Sequence, residues 1–234
     1  PDNVKCSVHN IGEIHDFPES LSVEDILIRS SNVGSVMIAR QIGKAKLKKF
    51  IENLGLLKVM DFELEEIGRP HKFKWEKCKL ETVSFGHGIT TTPLQAAAAY
   101  ATMTNGGYII KPTLQVRKNF VFENRSSIIS KKTSDQINKM LRKVVAEKRG
   151  TASNADIFGY EVGGKTGTAK NYINSKKNIN TFISIFPSNE PKYVLLVILD
   201  DPKGAPHLIY NYEGRPTTNV SRTEAGWNSV YVSG

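Results

Sequence analysis

The sequence is poor in cysteine and histidine, the side chains that most often bind transition metals. It has two cysteines, Cys6 and Cys78, among 234 residues, and they form neither a CxxC pair nor another metal-ligand spacing. The five histidines show no ligand-like spacing either. The pattern therefore predicts no metal site and no other cofactor. It leaves open whether the two thiols are free or form a disulfide, because two isolated cysteines do not identify the redox compartment.

Long apolar runs, internal repeats and low-complexity tracts are also missing, and no signal or transit peptide is recognisable. We interpret the chain as cut at both ends, so these absences do not indicate a location. The content of 39% hydrophobic and 24% charged residues is that of a folded domain with a core. The length suits one large domain, or a domain with part of another.

The charge is strongly basic, with a formal net value of +9 and a pI near 9.4. Such a surface suits nucleic acid, anionic lipid or an acidic polymer. The basic residues are scattered, however, and the densest group, between Lys44 and Lys49, is typical of the solvated face of a helix. Because no aromatic residues are interleaved with them as a stacking platform, the sequence predicts no nucleic-acid partner.

Helical signals come first in the chain and strand signals follow. Thr92 with Gln95, and Thr133 with Gln136, have the spacing of capping boxes and predict two helix starts. After Gly150 the pattern changes to three strands, "GYEVGGKTGTA", "TFISIFP" and "KYVLLVILD". Helices followed by adjacent strands with short turns predict an α+β fold, in which an antiparallel sheet packs on helices.

Two polar clusters interrupt these patterns. Ser30-Ser31-Asn32 lies between two helical stretches, and Lys165-Thr166-Gly167-Thr168 lies on a strand edge after two further glycines. Taken alone, the first cluster is typical of a helix junction whose side chains cap backbone groups, and the second of a glycine-rich turn. Glycine is costly inside an ordinary strand. We therefore expect another molecule to approach this edge so closely that a β-carbon at Gly164 or Gly167 would push it away.

Together the clusters match Ser-x-Asn and Lys-Thr-Gly, two of the three elements of penicillin-binding proteins and class A β-lactamases. With "SFGHGITTTPLQAAAAYATMTNGG" and "ISIFPSNEPKYVLLVILDDPKG", the chain resembles the transpeptidase domain of class B penicillin-binding proteins. The "KTGTA" and "AGWN" segments are similar to the septal, cell-division branch. The resemblance implies a penicillin-binding, serine β-lactamase-like transpeptidase fold, with residues 1–234 as the C-terminal part of a single transpeptidase domain.

The third element of the family, Ser-x-x-Lys, is absent, because no lysine in the sequence follows a serine at that spacing. In the family this serine is the nucleophile and lies N-terminal to Ser-x-Asn. We expect that the chain starts after the nucleophile, so that the fold is incomplete and this chain alone is inactive. The alternative is a pseudoenzyme.

The resemblance implies acyl transfer from D-Ala-D-Ala stem peptides through a serine acyl-enzyme, with the following catalytic roles. Ser30 would shuttle a proton between the nucleophile and the leaving amine. Asn32 would hold the lysine of the missing motif and bond the donor peptide's amide. Lys165 would supply positive charge that favours an anionic intermediate.

The same resemblance implies a substrate-binding strand. Thr166 and Thr168 would offer hydroxyls to the substrate carboxylate that β-lactams imitate, and the Thr168 N–H would be one of two oxyanion donors. Gly167 would leave room for the substrate main chain. His87, in "FGHGIT", suits a structural or pocket-lining role, and a titrating role stays open.

Partners and location follow from the resemblance alone. It implies stem peptides and β-lactam antibiotics as ligands, and membrane-anchored divisome proteins and a glycosyltransferase as partners. It also implies an inner-membrane protein with a periplasmic catalytic domain. Two other functions stay open: a serine β-lactamase or carboxypeptidase, with water as acceptor, and a non-catalytic division scaffold.

Overall fold

The computed structural model describes residues 3–7, 9–13, 16–65, 68–116, 126–171, 174, 176–212, 215–219 and 229–233. The chain divides into two compact units. Unit 1 comprises Pro1–Ile26 and Ser31–Ile137, and unit 2 comprises Leu27–Ser30 and Asn138–Gly234. The assignment of the chain to one part of a single transpeptidase domain stays a prediction.

The described residues form helices and strands with the following bounds. The helices are α1 (Val23–Ile28), α2 (Asn32–Ile42), α3 (Lys44–Asn53), α4 (Lys79–Ser84), α5 (Pro93–Thr104), α6 (Lys131–Ala146) and α7 (Ser229–Ser233). The strands are β1 (Asn3–Cys6), β2 (His9–Gly12), β3 (Gly163–Lys170), β4 (Asn178–Phe186), β5 (Tyr193–Asp200), β6 (Ala205–Tyr212) and β7 (Arg215–Asn219). No helix in this described part is both long and apolar enough to cross a membrane.

Unit 1 is built around α2. The antiparallel hairpin β1–β2 and helix α4 both pack against α2. Their shared core contains three buried valines, Val4, Val33 and Val36, with Ile11 and Phe85 beside them. A disulfide between Cys6 and Cys78 joins the end of β1 to the residue before α4, which settles the state of the two thiols.

The start of α5 confirms the predicted capping box. The Thr92 N–H donates to Gln95 Oε1 at 2.9 Å, and the Gln95 N–H donates to Thr92 Oγ1 at 3.2 Å. Pro93 is the first helical residue, where its missing N–H leaves no helical bond unmade. The box therefore places the N-terminus of this alanine-rich helix where the sequence predicted it.

The prediction of a second capping box, formed by Thr133 and Gln136, was wrong. Helix α6 begins at Lys131, and the Thr133 N–H donates to Ser130 Oγ at 3.1 Å. Ser130 therefore holds the capping position, and Thr133 lies in the first turn of the helix. Two hydroxyl side chains three residues apart both fit the cap pattern, and the earlier one caps the helix.

Unit 2 contains an antiparallel sheet in the order β3-β4-β5, with α7 packed against β4 and β5. Its core combines residues from the end of α6, from β4 and from α7, including Val144, Val145, Phe182 and Val230. Strands β6 and β7 form a separate antiparallel pair. The predicted α+β class with an antiparallel sheet is confirmed.

Candidate active site

Ser30 follows the end of α1 in an unusual backbone conformation. Its φ angle is +60°, in the left-handed region, and its N–H donates to Leu27 O at 3.3 Å. A non-glycine residue there costs on the order of 1–3 kcal/mol, and it persists where the surroundings fix it. The tight turn leaves the Ser30 side chain exposed.

Strand β3 carries the Lys-Thr-Gly-Thr cluster and is an edge strand of its sheet. In the described residues β4 is its single strand neighbour. The Thr181 hydroxyl donates to the Gly167 carbonyl oxygen at 3.3 Å, so this carbonyl points towards β4. Because backbone groups alternate sides along a strand, those of Thr166 and Thr168 point away from β4. The outer edge of β3 therefore presents the main chain of both threonines.

Lys165 and Ser30 are in direct contact, although they lie 135 positions apart in the chain. The Lys165 ammonium donates to Ser30 Oγ at 2.7 Å and to the Thr166 carbonyl oxygen at 3.0 Å. An ammonium has donors and no acceptor, so the Ser30 oxygen accepts this bond. The hydroxyl hydrogen of Ser30 is then directed elsewhere, and the serine can donate it to a third group.

Partial burial changes the proton affinity of Lys165. Desolvation disfavours the charged form and lowers the pKa of Lys165 to about 8. The side chain is therefore mainly an ammonium at neutral pH, and it loses its charge in mildly alkaline solution. It can act as a fixed positive charge or, once deprotonated, as a proton acceptor for Ser30.

Thr151 holds the side chain of Thr166, and sequence reasoning missed it. The two hydroxyl oxygens are 2.7 Å apart, and either can donate. The signal for this contact is the preceding Gly150, where a β-carbon would lie 2.1 Å from the Val144 carbonyl oxygen. Glycine there lets the chain pass close to α6 and brings Thr151 to β3.

The glycines of β3 have an explanation within the protein itself. A β-carbon at Gly164 would lie 2.6 Å from Phe182 Cζ, and one at Gly167 would lie 2.5 Å from Thr181 Oγ1. Both contacts are closer than real β-carbons approach. Packing against β4 thus gives these glycines a role within the protein, and the expectation that a ligand approaches this edge stays a prediction.

Asn32 belongs to unit 1, where it is the first residue of α2. Its side-chain Nδ2 donates to the Gly12 carbonyl oxygen at 3.3 Å, and its N–H donates to Glu13 Oε2 at 2.9 Å. In the same unit, His87 stacks against Phe85 with ring centroids 6.3 Å apart. Within unit 2 the structure brings together Ser30 and the Lys165–Thr168 cluster.

The residues of this site are hydroxyls, one amine and backbone amides, which are poor ligands for transition metals. The described residues also contain no group of three or more histidine, cysteine, aspartate or glutamate side chains able to hold a metal ion. Chemically, a hydroxyl in contact with an ammonium can transfer a proton, and the ammonium can attract an anionic group.

Curated relatives were identified by sequence comparison. The chain is 32% identical over 212 residues to the probable peptidoglycan D,D-transpeptidase FtsI of Caulobacter vibrioides, covering 86% of this chain and 36% of the relative. It is 34% identical over 197 residues to stage V sporulation protein D of Bacillus subtilis, covering 77% and 30%. The chain thus spans about a third of the length of these relatives.

Solved structures support the fold. The transpeptidase domain of penicillin-binding protein 3 from Burkholderia pseudomallei aligns with a TM-score of 0.80 at 24% identity, covering 99% of this chain and 68% of that one. The penicillin binding protein transpeptidase domain family matches residues 2–223. The chain therefore belongs to the penicillin-binding protein transpeptidase family, in the class B branch that includes FtsI.

Proposed function

We propose that this chain is the part of a serine-type D,D-transpeptidase that binds substrate and transfers protons. The parent protein would cross-link peptidoglycan by acyl transfer from D-Ala-D-Ala stem peptides, with a nucleophilic serine from a Ser-x-x-Lys motif upstream of this chain. The contact of 2.7 Å between Lys165 Nζ and Ser30 Oγ carries the proposal. The Caulobacter vibrioides relative, which is named a probable peptidoglycan D,D-transpeptidase, supports it.

Ser30 serves as the proton relay in this proposal. The upstream serine gives its proton to the lysine of its own motif as its oxygen attacks the carbonyl carbon of the penultimate D-Ala, and the C–N bond to the terminal D-Ala breaks. The leaving amine needs a proton, which Ser30 supplies through the hydrogen that its bond to Lys165 leaves available. The lysine of the upstream motif then reprotonates Ser30. When the acceptor amine attacks the ester, its proton passes through Ser30 to the oxygen of the upstream serine, which is the leaving group of that step. Proton transfer of this kind contributes about 10²–10⁴ in rate.

Strand β3 binds the donor peptide in this proposal. The substrate lies along its outer edge as an added strand, bonded to the main chain of Thr166 and Thr168. The Thr168 N–H serves as an oxyanion donor, and the Thr166 and Thr168 hydroxyls bind the terminal carboxylate. Lys165, as an ammonium, attracts that carboxylate. Gly167 keeps the main chain of β3 close to β4, because its missing β-carbon avoids Thr181.

Asn32 binds the lysine of the upstream motif in this proposal. Its carbonyl oxygen Oδ1 accepts a hydrogen bond from that lysine, and its amide nitrogen bonds the donor peptide. The proposal places the general base outside this chain, which agrees with the absence of Ser-x-x-Lys from its sequence.

Labelling of the full-length parent protein with a fluorescent penicillin tests this function. We expect Ser30→Ala and Lys165→Ala to slow covalent labelling by about 10²-fold or more, since the first removes the proton relay and the second removes the ammonium that bonds it. Lys170→Ala is the matched control. Lys170 is an exposed lysine of the same strand, and its ammonium donates to Asn178 and not to Ser30. Labelling that neither Ser30→Ala nor Lys165→Ala affects would refute the proposed roles.

Two further measurements separate the alternatives. Slow hydrolysis of the penicilloyl adduct supports a transpeptidase, whereas rapid hydrolysis indicates a β-lactamase or carboxypeptidase. A parent sequence without Ser-x-x-Lys upstream indicates the non-catalytic scaffold.

The family also suggests an inner-membrane parent with a periplasmic catalytic domain, which works with divisome proteins and a glycosyltransferase. Recovery of the parent in the soluble cytoplasmic fraction would contradict that location.

A further inference from the structure

Glu13 follows β2 and accepts three hydrogen bonds from the start of α2. Its Oε1 accepts from the Ser31 hydroxyl at 2.5 Å and from the Val33 N–H at 3.1 Å. Its Oε2 accepts from the Asn32 N–H at 2.9 Å. One partly buried carboxylate therefore contacts three consecutive residues, two of which belong to the Ser30-Ser31-Asn32 motif.

This arrangement is electrostatically favourable. The first N–H groups of a helix lack partners within it, and the helix dipole is positive at that end. A carboxylate placed there forms charge-assisted bonds, which are about twice as strong as neutral ones. Glu13 therefore holds the first turn of α2 more firmly than a serine cap could alone.

The Ser31 hydroxyl is fully engaged as a result. It donates to Glu13 and accepts from the Gly34 N–H at 2.9 Å, and only 2% of the residue is exposed. Both of its hydrogen-bonding functions are thus used inside unit 1. Ser31 anchors the motif, which leaves Ser30 as the motif's exposed hydroxyl.

The side chain of Asn32 is oriented by the same segment. Its Nδ2 donates to the carbonyl oxygen of Gly12, the residue before Glu13. Because the Asn32 amide nitrogen is held by β2, the Asn32 amide oxygen points away from β2. An amide oxygen is what a lysine ammonium requires, because the ammonium can only donate.

We propose that Glu13 is a positioning residue for acyl transfer, an inference that rests on the proposed function. Glu13 fixes the main chain of Ser31 and Asn32, so that the Asn32 amide oxygen keeps the orientation that binding the lysine of the upstream motif needs. It acts through these residues and touches no reacting atom. Misplacing a reacting group by about 1 Å can reduce a rate by about 10²-fold.

The test compares Glu13→Gln with Glu19→Gln in the full-length parent protein. Glu19 lies in the same segment and is exposed, so its change removes the same charge without affecting α2. Stopped-flow measurements with a chromogenic β-lactam separate the dissociation constant of the first complex from the acylation rate constant. For Glu13→Gln we expect an acylation rate constant lower by about 10- to 100-fold, with a dissociation constant changed by less than about threefold. Glu19→Gln should match the wild type.

Thermal unfolding of the same variants distinguishes positioning from capping. If Glu13→Gln lowers the melting temperature and leaves the acylation rate constant of the folded protein unchanged, Glu13 is only a helix cap and the inference is wrong. Should Glu13→Gln fail to fold, Glu13→Asp replaces it: slower acylation supports the inference, and wild-type acylation overturns it. A wild-type parent that penicillin does not acylate would instead refute the proposed function.

Discussion

Lys165 is the residue whose protonation state matters most to the proposed chemistry. Its partly buried ammonium donates to Ser30 and to the Thr166 carbonyl oxygen, and burial lowers its pKa to about 8. The charge is present below that pH and is lost as the pH rises through it. The attraction for a carboxylate should follow the charge.

We therefore expect the rate of penicillin acylation by the parent protein to decline as the pH rises through about 8. A pH series of second-order rate constants between about pH 6.5 and 9.5 measures this decline, with Lys165→Arg as the control. A guanidinium stays charged throughout this range, so that variant should lose the decline near pH 8 even if its absolute rate is low. An unchanged decline in Lys165→Arg would assign the titration to another group.

Gly167 permits a second test, because its packing partner is a single side chain. Gly167→Ala should lower the free energy of unfolding by about 1–3 kcal/mol, since the new β-carbon meets the Thr181 hydroxyl. Adding Thr181→Ala removes that hydroxyl and should restore part of the loss in urea unfolding. A double variant as unstable as the sum of the single ones would contradict the packing explanation.

The same pair shows whether a ligand also requires the glycine. If Gly167→Ala with Thr181→Ala recovers stability and penicillin acylation together, packing alone explains the glycine. If stability returns and acylation does not, the β-carbon also obstructs the substrate, as the sequence suggested.

At this scale the sequence identified the residues of both motifs, because their spacing is specific. It named Ser30 and Lys165 as catalytic candidates, and the structure places their side chains in contact. The sequence did not predict Thr151 or Glu13, because each acts through a hydrogen bond that only folding creates, to Thr166 and to Asn32 respectively.

Among the structural elements, the hairpin β1–β2 is joined to both α2 and α4. The Cys6–Cys78 disulfide joins it to α4. Arg40 of α2 donates to the Lys5 carbonyl oxygen at 2.9 Å and to Glu81 Oε1 of α4 at 3.0 Å. These bonds fix the hairpin, and with it the segment that leads to Glu13.

The double change Cys6→Ser and Cys78→Ser should lower the free energy of unfolding by about 4 kcal/mol, the chain-entropy value for a closed loop of this size. The cysteines are 72 positions apart, so the reduced chain gains considerable freedom when it unfolds. Urea unfolding of the oxidised wild type and of the double variant measures the difference. Reductant should shift the wild-type midpoint and leave the double variant unchanged; equal midpoints without reductant would contradict the expectation.

The elements differed in how well the sequence predicted them. Strands β3 to β5 and the start of α5 have strong local signals, namely apolar runs bounded by turns and a capping box. The start of α6 was misplaced because Ser130 and Thr133 both fit a cap. The hairpin β1–β2 was not predicted, because four-residue strands carry too little alternation to stand out.

On the scale of the whole molecule, the chain has a complete Ser-x-Asn and Lys-Thr-Gly pair but no Ser-x-x-Lys. The family and the α+β fold could both be predicted, because the motifs occur in the family's order. The division into two compact units could not, since unit 2 combines Leu27–Ser30 with Asn138–Gly234. No local pattern marks so short a segment as part of a distant unit.

We expect this chain by itself to form no covalent adduct with a fluorescent penicillin, while the full-length parent does. The proposed nucleophile and one of its two oxyanion donors lie outside the sequence, and losing one such donor alone costs about 10²–10³ in rate. Intact-mass measurement after incubation checks this. An adduct on the chain would reveal a second nucleophile, with the exposed Ser30 as the first candidate to map.

The bond between Cys6 and Cys78 makes the polypeptide between them a covalent ring that contains α2 and α3. A protease that cuts once inside the ring, for example after the exposed Lys72, would nick the protein without dividing it. The two pieces would migrate as one band until a reductant separates them, so damage at this loop would pass unnoticed on a non-reducing gel.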